Sequence, residues 1–185
     1  MFKFILVFFM VIITTEVHSN KSQKNAHDFE FKSIDGKILK LSEYRNKVIL
    51  VVNTASRCGF TPQYAALQNL WDHYKTQGLV VIGVPSGDFG NQELASNEKI
   101  KNFCKVNFNI NFPMTERSHV KGAKAHPFYK WANKKVGFTG TPRWNFHKFL
   151  IGPKGQVMDW FASTTKPSSQ KIKSKIEEQL SLINK

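Results

Sequence analysis

Two apolar runs, Val48 to Val52 and Leu79 to Val84, are continuous and do not alternate with polar residues, which is the pattern of strands covered on both faces. Between them, Tyr64, Leu67, Leu70, Trp71 and Tyr74 recur at helical spacing. This predicts a helix with Thr61 as N-cap and Pro62 at its first position, ended by Gly78. Upstream, Phe31 to Ile34 and Lys37 to Leu41 flank Asp35-Gly36, a dipeptide suited to the positive φ of a tight hairpin turn. Downstream, Ser86 to Asn91 reads as a loop, and Ser96 opens a helix whose apolar stripe is Ile100, Phe103 and Cys104. A further helix is expected over His126 to Lys134, with Phe128 and Trp131 inward. Asn145 to Ile151 and Gln156 to Phe161 flank the turn Gly152-Pro-Lys-Gly155, and Ile172, Ile176 and Leu180 mark a closing helix beyond Pro167.

Strand, helix, strand, helix, two antiparallel strands and a last helix is the order of a thioredoxin-like α/β fold: a central mixed sheet flanked by helices, here with an N-terminal β-hairpin. No repeat or linker divides it. The first residues are different in kind. Met1-Phe2-Lys3 precedes ten unbroken apolar residues, Phe4 to Ile13, fewer than the roughly 20 that span a bilayer. With polar residues after this run and Val17-His18-Ser19 before Asn20, residues 1–19 are expected to be a cleaved secretory signal. An uncleaved anchor with the same domain outside the membrane is the alternative. Taking nineteen residues from 185 leaves 166, the size of one domain, residues 20–185.

Lys and Arg number 27 against 13 acids, a net charge of +14. The surplus is spread widely, in loose clusters such as Lys121, Lys124, Lys130, Lys134-Lys135 and Lys171 to Lys175. That suits a solvated basic surface, with peripheral attraction to an anionic membrane or an acidic partner. A nucleic-acid partner is not expected, because zinc-finger spacing, a helix-turn-helix pattern and basic runs interleaved with aromatics are all lacking.

Only two cysteines occur, Cys58 and Cys104. In an exported chain a structural disulfide is the ordinary expectation. The position of Cys58 argues for more. It falls between a buried strand and a helix start, where free N–H groups and the positive end of the helix dipole favour a thiolate. Its neighbours Arg57 and Gly59 are the expected supports, Arg57 through its charge. Gln92, Trp144 and Asn145 can each donate a hydrogen bond without being ionised, and each lies at a strand end where the fold could gather it around Cys58. Singly, each could equally be a solvated loop residue, a packed ring or a turn former.

Taken together, Asn53-Thr-Ala-Ser-Arg-Cys-Gly-Phe-Thr-Pro-Gln-Tyr64, Phe89-Gly-Asn-Gln-Glu93 and Arg143-Trp-Asn-Phe146, in that order, closely resemble the signature segments of the glutathione peroxidase family. The resemblance runs from about Phe29 to Ser169 and includes Leu70-Trp71 and Gly78 to Pro85. It implies a peroxidatic centre of Cys58, Gln92, Trp144 and Asn145, with cysteine where the better-known animal enzymes carry selenocysteine. The segment from Gly122 to Trp144 is short, without the insertion through which tetrameric members assemble, so a monomer or weak dimer is expected. Ser86 stands where many relatives have another cysteine. The arginine set that tetrameric members use for glutathione is not identifiable.

The implied chemistry is attack of the Cys58 thiolate on a peroxide oxygen, leaving a sulfenic acid. Cys104 lies 46 residues downstream, where similar members have a resolving cysteine that forms an internal disulfide. A thioredoxin-like reductant protein, or glutathione, would then recycle the enzyme as cosubstrate. No metal and no organic cofactor is expected. The alternative for Cys104 is a small buried hydrophobe on its helix stripe. Two other classes stay in view: a thiol-disulfide oxidoreductase, which would ordinarily carry the C-x-x-C that Cys58-Gly-Phe-Thr61 lacks, and a non-catalytic exported module with a structural disulfide. Similarity to bacterial members at Ser86 to Gly90 and Phe146 to Pro153 favours the periplasm, or secretion outside bacteria.

Overall fold

In a computed structural model of the chain, residues 23–183 are described. The expected signal, residues 1–19, lies outside them. The hairpin comprises β1 (Glu30–Lys32) and β2 (Ile38–Lys40). It is shorter than the apolar pattern suggests, and its turn uses Gly36 at φ +80°. The central sheet contains β3 (Val48–Thr54), β4 (Leu79–Pro85), β5 (Lys148–Ile151) and β6 (Val157–Phe161), in the order β4-β3-β5-β6. β3 runs parallel to β4, with Val48 opposite Leu79, and antiparallel to β5; β5 pairs antiparallel with β6 across an irregularity at Leu150/Ile151. The helices are α1 (Gln63–Tyr74), α2 (Asn97–Phe108), α3 (Pro127–Gly140) and α4 (Gln170–Leu180). This is the expected thioredoxin-like α/β layout.

All seven residues of β3 and all seven of β4 are buried, as continuous apolar runs require. Successive side chains of β3 serve opposite faces. Val48, Leu50 and Val52 pack with Leu67 and Leu70 of α1, Cys104 of α2 and Ile172 and Ile176 of α4. Ile49 and Val51 pack instead with Phe128 and Ala132 of α3 and with Phe31 and Leu39 of the hairpin. The sheet is thus the shared wall of two cores. Its topology brings the carboxyl ends of β3 and β4 and the amino end of β5 to one edge, where loops from all three meet.

Several boundaries differ from the sequence reading for identifiable reasons. α1 begins at Gln63 after Pro62, and Thr61 does not cap it, because the Thr61 hydroxyl is engaged with the preceding loop. Its last turn tightens over Lys75–Gln77 before Gly78 stops it at φ +112°. α3 continues past Lys134 to Gly140, broken at Gly137, whose φ is +68°. β5 begins only at Lys148, since Phe146 has φ +63° and interrupts the extended backbone. Ser96 caps α2 as expected, its side chain accepting from the Lys99 N–H.

Candidate active site

After β3 the chain folds into a compact loop around Cys58. The Cys58 N–H donates to Thr61 Oγ1 at 3.0 Å, and the Thr61 hydroxyl donates to the Ala55 carbonyl at 2.9 Å. The backbone then turns tightly, with Thr61 N–H on Cys58 O, Gln63 N–H on Phe60 O and Tyr64 N–H on Thr61 O. The helix start expected at Cys58 is therefore a stack of turns leading into α1. The Phe60 N–H donates to Cys58 Sγ at 3.4 Å. A backbone donor does reach the sulfur, and it is Phe60's, two residues on, where Gly59 was the expected support. Gly59 itself is exposed, and a Cβ placed there would meet nothing within 4 Å. Arg57 has an exposed side chain, and its backbone N–H donates to Gln92 O at 2.9 Å.

That bond joins the Cys58 loop to the loop after β4. Gly90 and Asn91, at φ +66° and +50°, reverse the chain in the left-handed region, which glycine adopts freely and asparagine tolerates. The reversal returns Gln92 and Glu93 toward Cys58. Glu93 is buried; its Oε1 accepts from the Ser56 N–H at 3.1 Å and the Leu94 N–H at 2.8 Å. Burial pushes its carboxyl up from the ordinary range.

The third loop delivers Trp144 and Asn145. The Asn145 side-chain amide donates to Gln92 Oε1 at 3.0 Å and to Phe89 O at 3.4 Å. Asn53, at the end of β3, donates to Trp144 O at 3.1 Å and accepts the Phe146 N–H on its backbone carbonyl. The positive φ of the buried Phe146 is the conformational cost of this arrangement, about 1–3 kcal/mol for a bulky residue. Phe146 is held there edge-on to Tyr64, ring centroids 5.3 Å apart. Trp144 remains 39% exposed and lies against Phe89, with centroids 6.0 Å apart. A Cβ on Gly90 would come within 3.6 Å of both Gln92 and Trp144, so the three are in mutual proximity.

The structure thus gathers Gln92, Trp144 and Asn145 into one contact group and ties the Cys58 loop to it through Arg57. Cys104 lies deeper. Both thiols are free and buried, and both belong to the core between the sheet and α1, α2 and α4. Burial pushes the Cys104 thiol up to about 11. Among the described residues, no three of His, Cys, Asp and Glu cluster so as to hold a metal, and no helix is long and apolar enough to cross a membrane.

Residues 26–133 match the family model described as glutathione peroxidase. A Lactococcus lactis glutathione peroxidase is 43% identical over 145 residues, covering 77% of this chain and 92% of that one. The chain belongs to the glutathione peroxidase family. Another relative is the glutathione peroxidase-like peroxiredoxin 2 of Saccharomyces cerevisiae, 41% identical over 80% of this chain and 94% of its own. The crystal structure of Trgpx in its apo form superposes with a TM-score of 0.70 at 38% identity, over 86% of this chain and 97% of that one. As a glutathione peroxidase family member the protein is a thiol-dependent peroxidase, an oxidoreductase that draws on a thiol cosubstrate and not on a prosthetic group. Family motifs name Gln92, Trp144 and Asn145. They do not announce Asn53, which pins Trp144, or Thr61, which shapes the Cys58 loop; the signal for both was present in the quoted segment Asn53 to Tyr64.

Proposed function

We propose that Cys58 is the peroxidatic nucleophile of a hydroperoxide reductase, with Gln92, Trp144 and Asn145 as its supporting donors. The carrying observation is the Asn145 to Gln92 hydrogen bond, set beside the Cys58 loop by the Arg57 to Gln92 bond. Asn145 occupies the Gln92 side-chain oxygen, which leaves the Gln92 N–H2 group as the part of that side chain able to donate. The Cys58 thiolate attacks one peroxide oxygen, the O–O bond breaks, and the other oxygen leaves with a proton as water or alcohol. Cys58 is left as sulfenic acid. Donors aimed at the leaving oxygen lower this barrier without ionising.

Cys104 then resolves the sulfenic acid: its sulfur bonds to Cys58 Sγ and water leaves. A dithiol protein of the thioredoxin kind returns two electrons and two protons to the disulfide. Both cysteines share one core, which supports this pairing, and an internal disulfide is a two-electron couple that a dithiol protein reduces by thiol–disulfide exchange. Wild-type protein should turn over hydrogen peroxide with a thioredoxin far faster than with glutathione. In Cys104→Ser a first turnover should complete, sulfenic acid should accumulate, and the thioredoxin-driven steady state should fall at least about tenfold, since a second-order route must replace an intramolecular one. An unchanged steady state in that variant would remove Cys104 from the cycle.

The proposed setting is export, to the periplasm in a bacterium or to the exterior otherwise, as a monomer or weak dimer. The proposed substrates include bulky lipid hydroperoxides at an anionic surface. Phe138 is 83% exposed with the Arg143 guanidinium 4.8 Å from its ring centroid, next in sequence to Trp144, and Lys121 Nζ lies 4.6 Å from the Phe89 ring. Such pairs suit an interface where rings enter and cations stay at headgroups. Vesicles with phosphatidylserine should co-sediment the protein at low salt, and Phe138→Ser with Arg143→Ser should abolish this; equal retention by neutral vesicles would count against it.

A further inference from the structure

Lys148 opens β5, a strand in the interior of the sheet, and its side chain is fully buried. Burying a cationic group is costly unless its surroundings compensate it, and the scheme above gives this one no part. Among the described residues it meets no carboxylate. Its Nζ donates instead to Gln63 Oε1 and to the Thr165 carbonyl, each at 2.7 Å. The Gln63 side chain is then held at both ends, because its Nε2 donates to the Ser163 carbonyl at 2.6 Å. Gln63 is the first residue of α1, and its backbone N–H donates to the Phe60 carbonyl at 2.9 Å. The Phe60 N–H is in turn the donor on Cys58 Sγ. One line of contacts therefore runs from the buried Nζ through Gln63 and Phe60 to the sulfur. Packing does little to hold that line on its outer side: Gly59, Phe60 and Gln63 face Thr164 and Pro167, from the segment between β6 and α4, across a cavity of about 240 Å³.

We propose that Lys148 is a positioning residue for the peroxidatic sulfur: by clamping Gln63 to the segment between β6 and α4, it keeps the Phe60 N–H directed at Cys58 Sγ. This rests on Cys58 as the nucleophile and is independent of Cys104. A backbone donor stabilises the thiolate more than the thiol, because a hydrogen bond to an ionised acceptor is the stronger one. A Phe60 peptide free to shift toward the adjoining cavity would give that stabilisation only part of the time. Lysine suits the task because its side chain reaches acceptors on two separate segments, Gln63 on α1 and Thr165 before α4. A methionine would fill a similar volume and donate to neither. The arrangement does not depend on the charge of Lys148, since the amine left after loss of a proton still has two N–H donors for two acceptors. Lys148 does not touch the reacting atoms; it acts through Gln63 and Phe60.

The test uses the full chain carrying Cys104→Ser, so that Cys58 is the one thiol present, and measures two quantities: the ultraviolet absorbance of the thiolate as pH is raised, and the rate of a single turnover with hydrogen peroxide. In Lys148→Met the thiolate should appear at higher pH than in its parent, and the peroxidation rate at neutral pH should fall about tenfold, the equivalent of one hydrogen bond to a charged group. Gln63→Met breaks the same line one step nearer the sulfur, should do the same, and serves alone if Lys148→Met does not fold. Because the two act in series, the double variant should lose no more than the worse single one. A merely structural role would lower the urea midpoint and leave the Cys58 titration in place. An unmoved titration in either folded variant, whether or not the rate falls, would overturn the proposal, as would losses that add in the double variant. If Cys58→Ser consumes peroxide as fast as its parent, the nucleophile assignment itself fails, and this inference with it.

Discussion

Cys58→Ser is expected to lower hydroperoxide reduction by about four orders of magnitude or more, the scale on which removal of an enzyme's nucleophile acts. Serine matches cysteine closely in size, and the Phe60 N–H that donates to Cys58 Sγ at 3.4 Å can donate to the serine oxygen. The loop is also held independently by Thr61 and by the Arg57 to Gln92 bond. The fold should therefore survive, with an unchanged circular dichroism spectrum and an unchanged unfolding midpoint. What is lost is the chemistry: a serine hydroxyl is not ionised near neutrality and forms no stable S–OH equivalent. Peroxide consumption, followed with a thioredoxin reductant and separately in a single turnover, should fall to background in both. A variant that retained activity within about tenfold of wild type would overturn the assignment, because no nucleophile in an intact enzyme is that dispensable. The same measurement separates this protein from a thiol-disulfide oxidoreductase of similar fold, which would not consume peroxide in the first place.

The elements were legible wherever one local rule governed them. Val48 to Val52 and Leu79 to Val84 became β3 and β4, because a double-sided apolar run has no other low-energy destination. Ser96 became a cap because its partner, the Lys99 N–H, is three residues away. Thr61 had the same local qualification and failed it, since its hydroxyl found Ala55 and Cys58 instead. That competition is decided by how the Cys58 loop closes, which periodicity does not encode. Strand β5 was anticipated three residues early for a related reason: the left-handed backbone of Phe146 is imposed from outside, by the Asn53 carbonyl and the Tyr64 ring.

The site was legible as motifs and not as geometry. Gln92 and Asn145 are 53 residues apart, and only the shared edge of the sheet makes them neighbours. Glu93 shows the opposite failure. It lay inside the motif Phe89 to Glu93 with no role read for it, and its burial goes with two N–H groups that converge on it after folding. Buried polar residues are where sequence rules correctly fail at functional or strained positions.

Lys148 is the most extreme such case, and it carries the second large expected effect: stability should rise with pH from about 7 to about 9. The side chain is fully buried on β5, and its Nζ donates to Gln63 Oε1 and Thr165 O, each at 2.7 Å, with no carboxylate among its partners. Burial pushes its ammonium down to about 7 from an ordinary 10.5. Above pH 7 the folded protein has released this proton while the unfolded chain still holds it, so the unfolded state binds more protons and stability increases with pH. The rise approaches about 1.4 kcal/mol per pH unit, close to a tenfold change in the folding equilibrium. Above about 9 the gain is opposed, because the Cys104 thiol stays protonated in the fold to about 11 and Tyr74 to about 12. On the acid side His147, buried and stacked on Trp160 with its proton lost down to about 4, adds a loss of stability as pH falls from 6.5 toward 4. Urea unfolding at a series of pH values should show both limbs. Lys148→Met should remove the rise between 7 and 9 and leave the acid limb in place, while costing about 1–3 kcal/mol at pH 9 for each of the acceptors left unpaired at Gln63 and Thr165. A wild-type slope retained in Lys148→Met would mean that Lys148 keeps its charge in the fold, with the Gln63 and Thr165 oxygens sufficient to hold an ammonium at the sheet's centre.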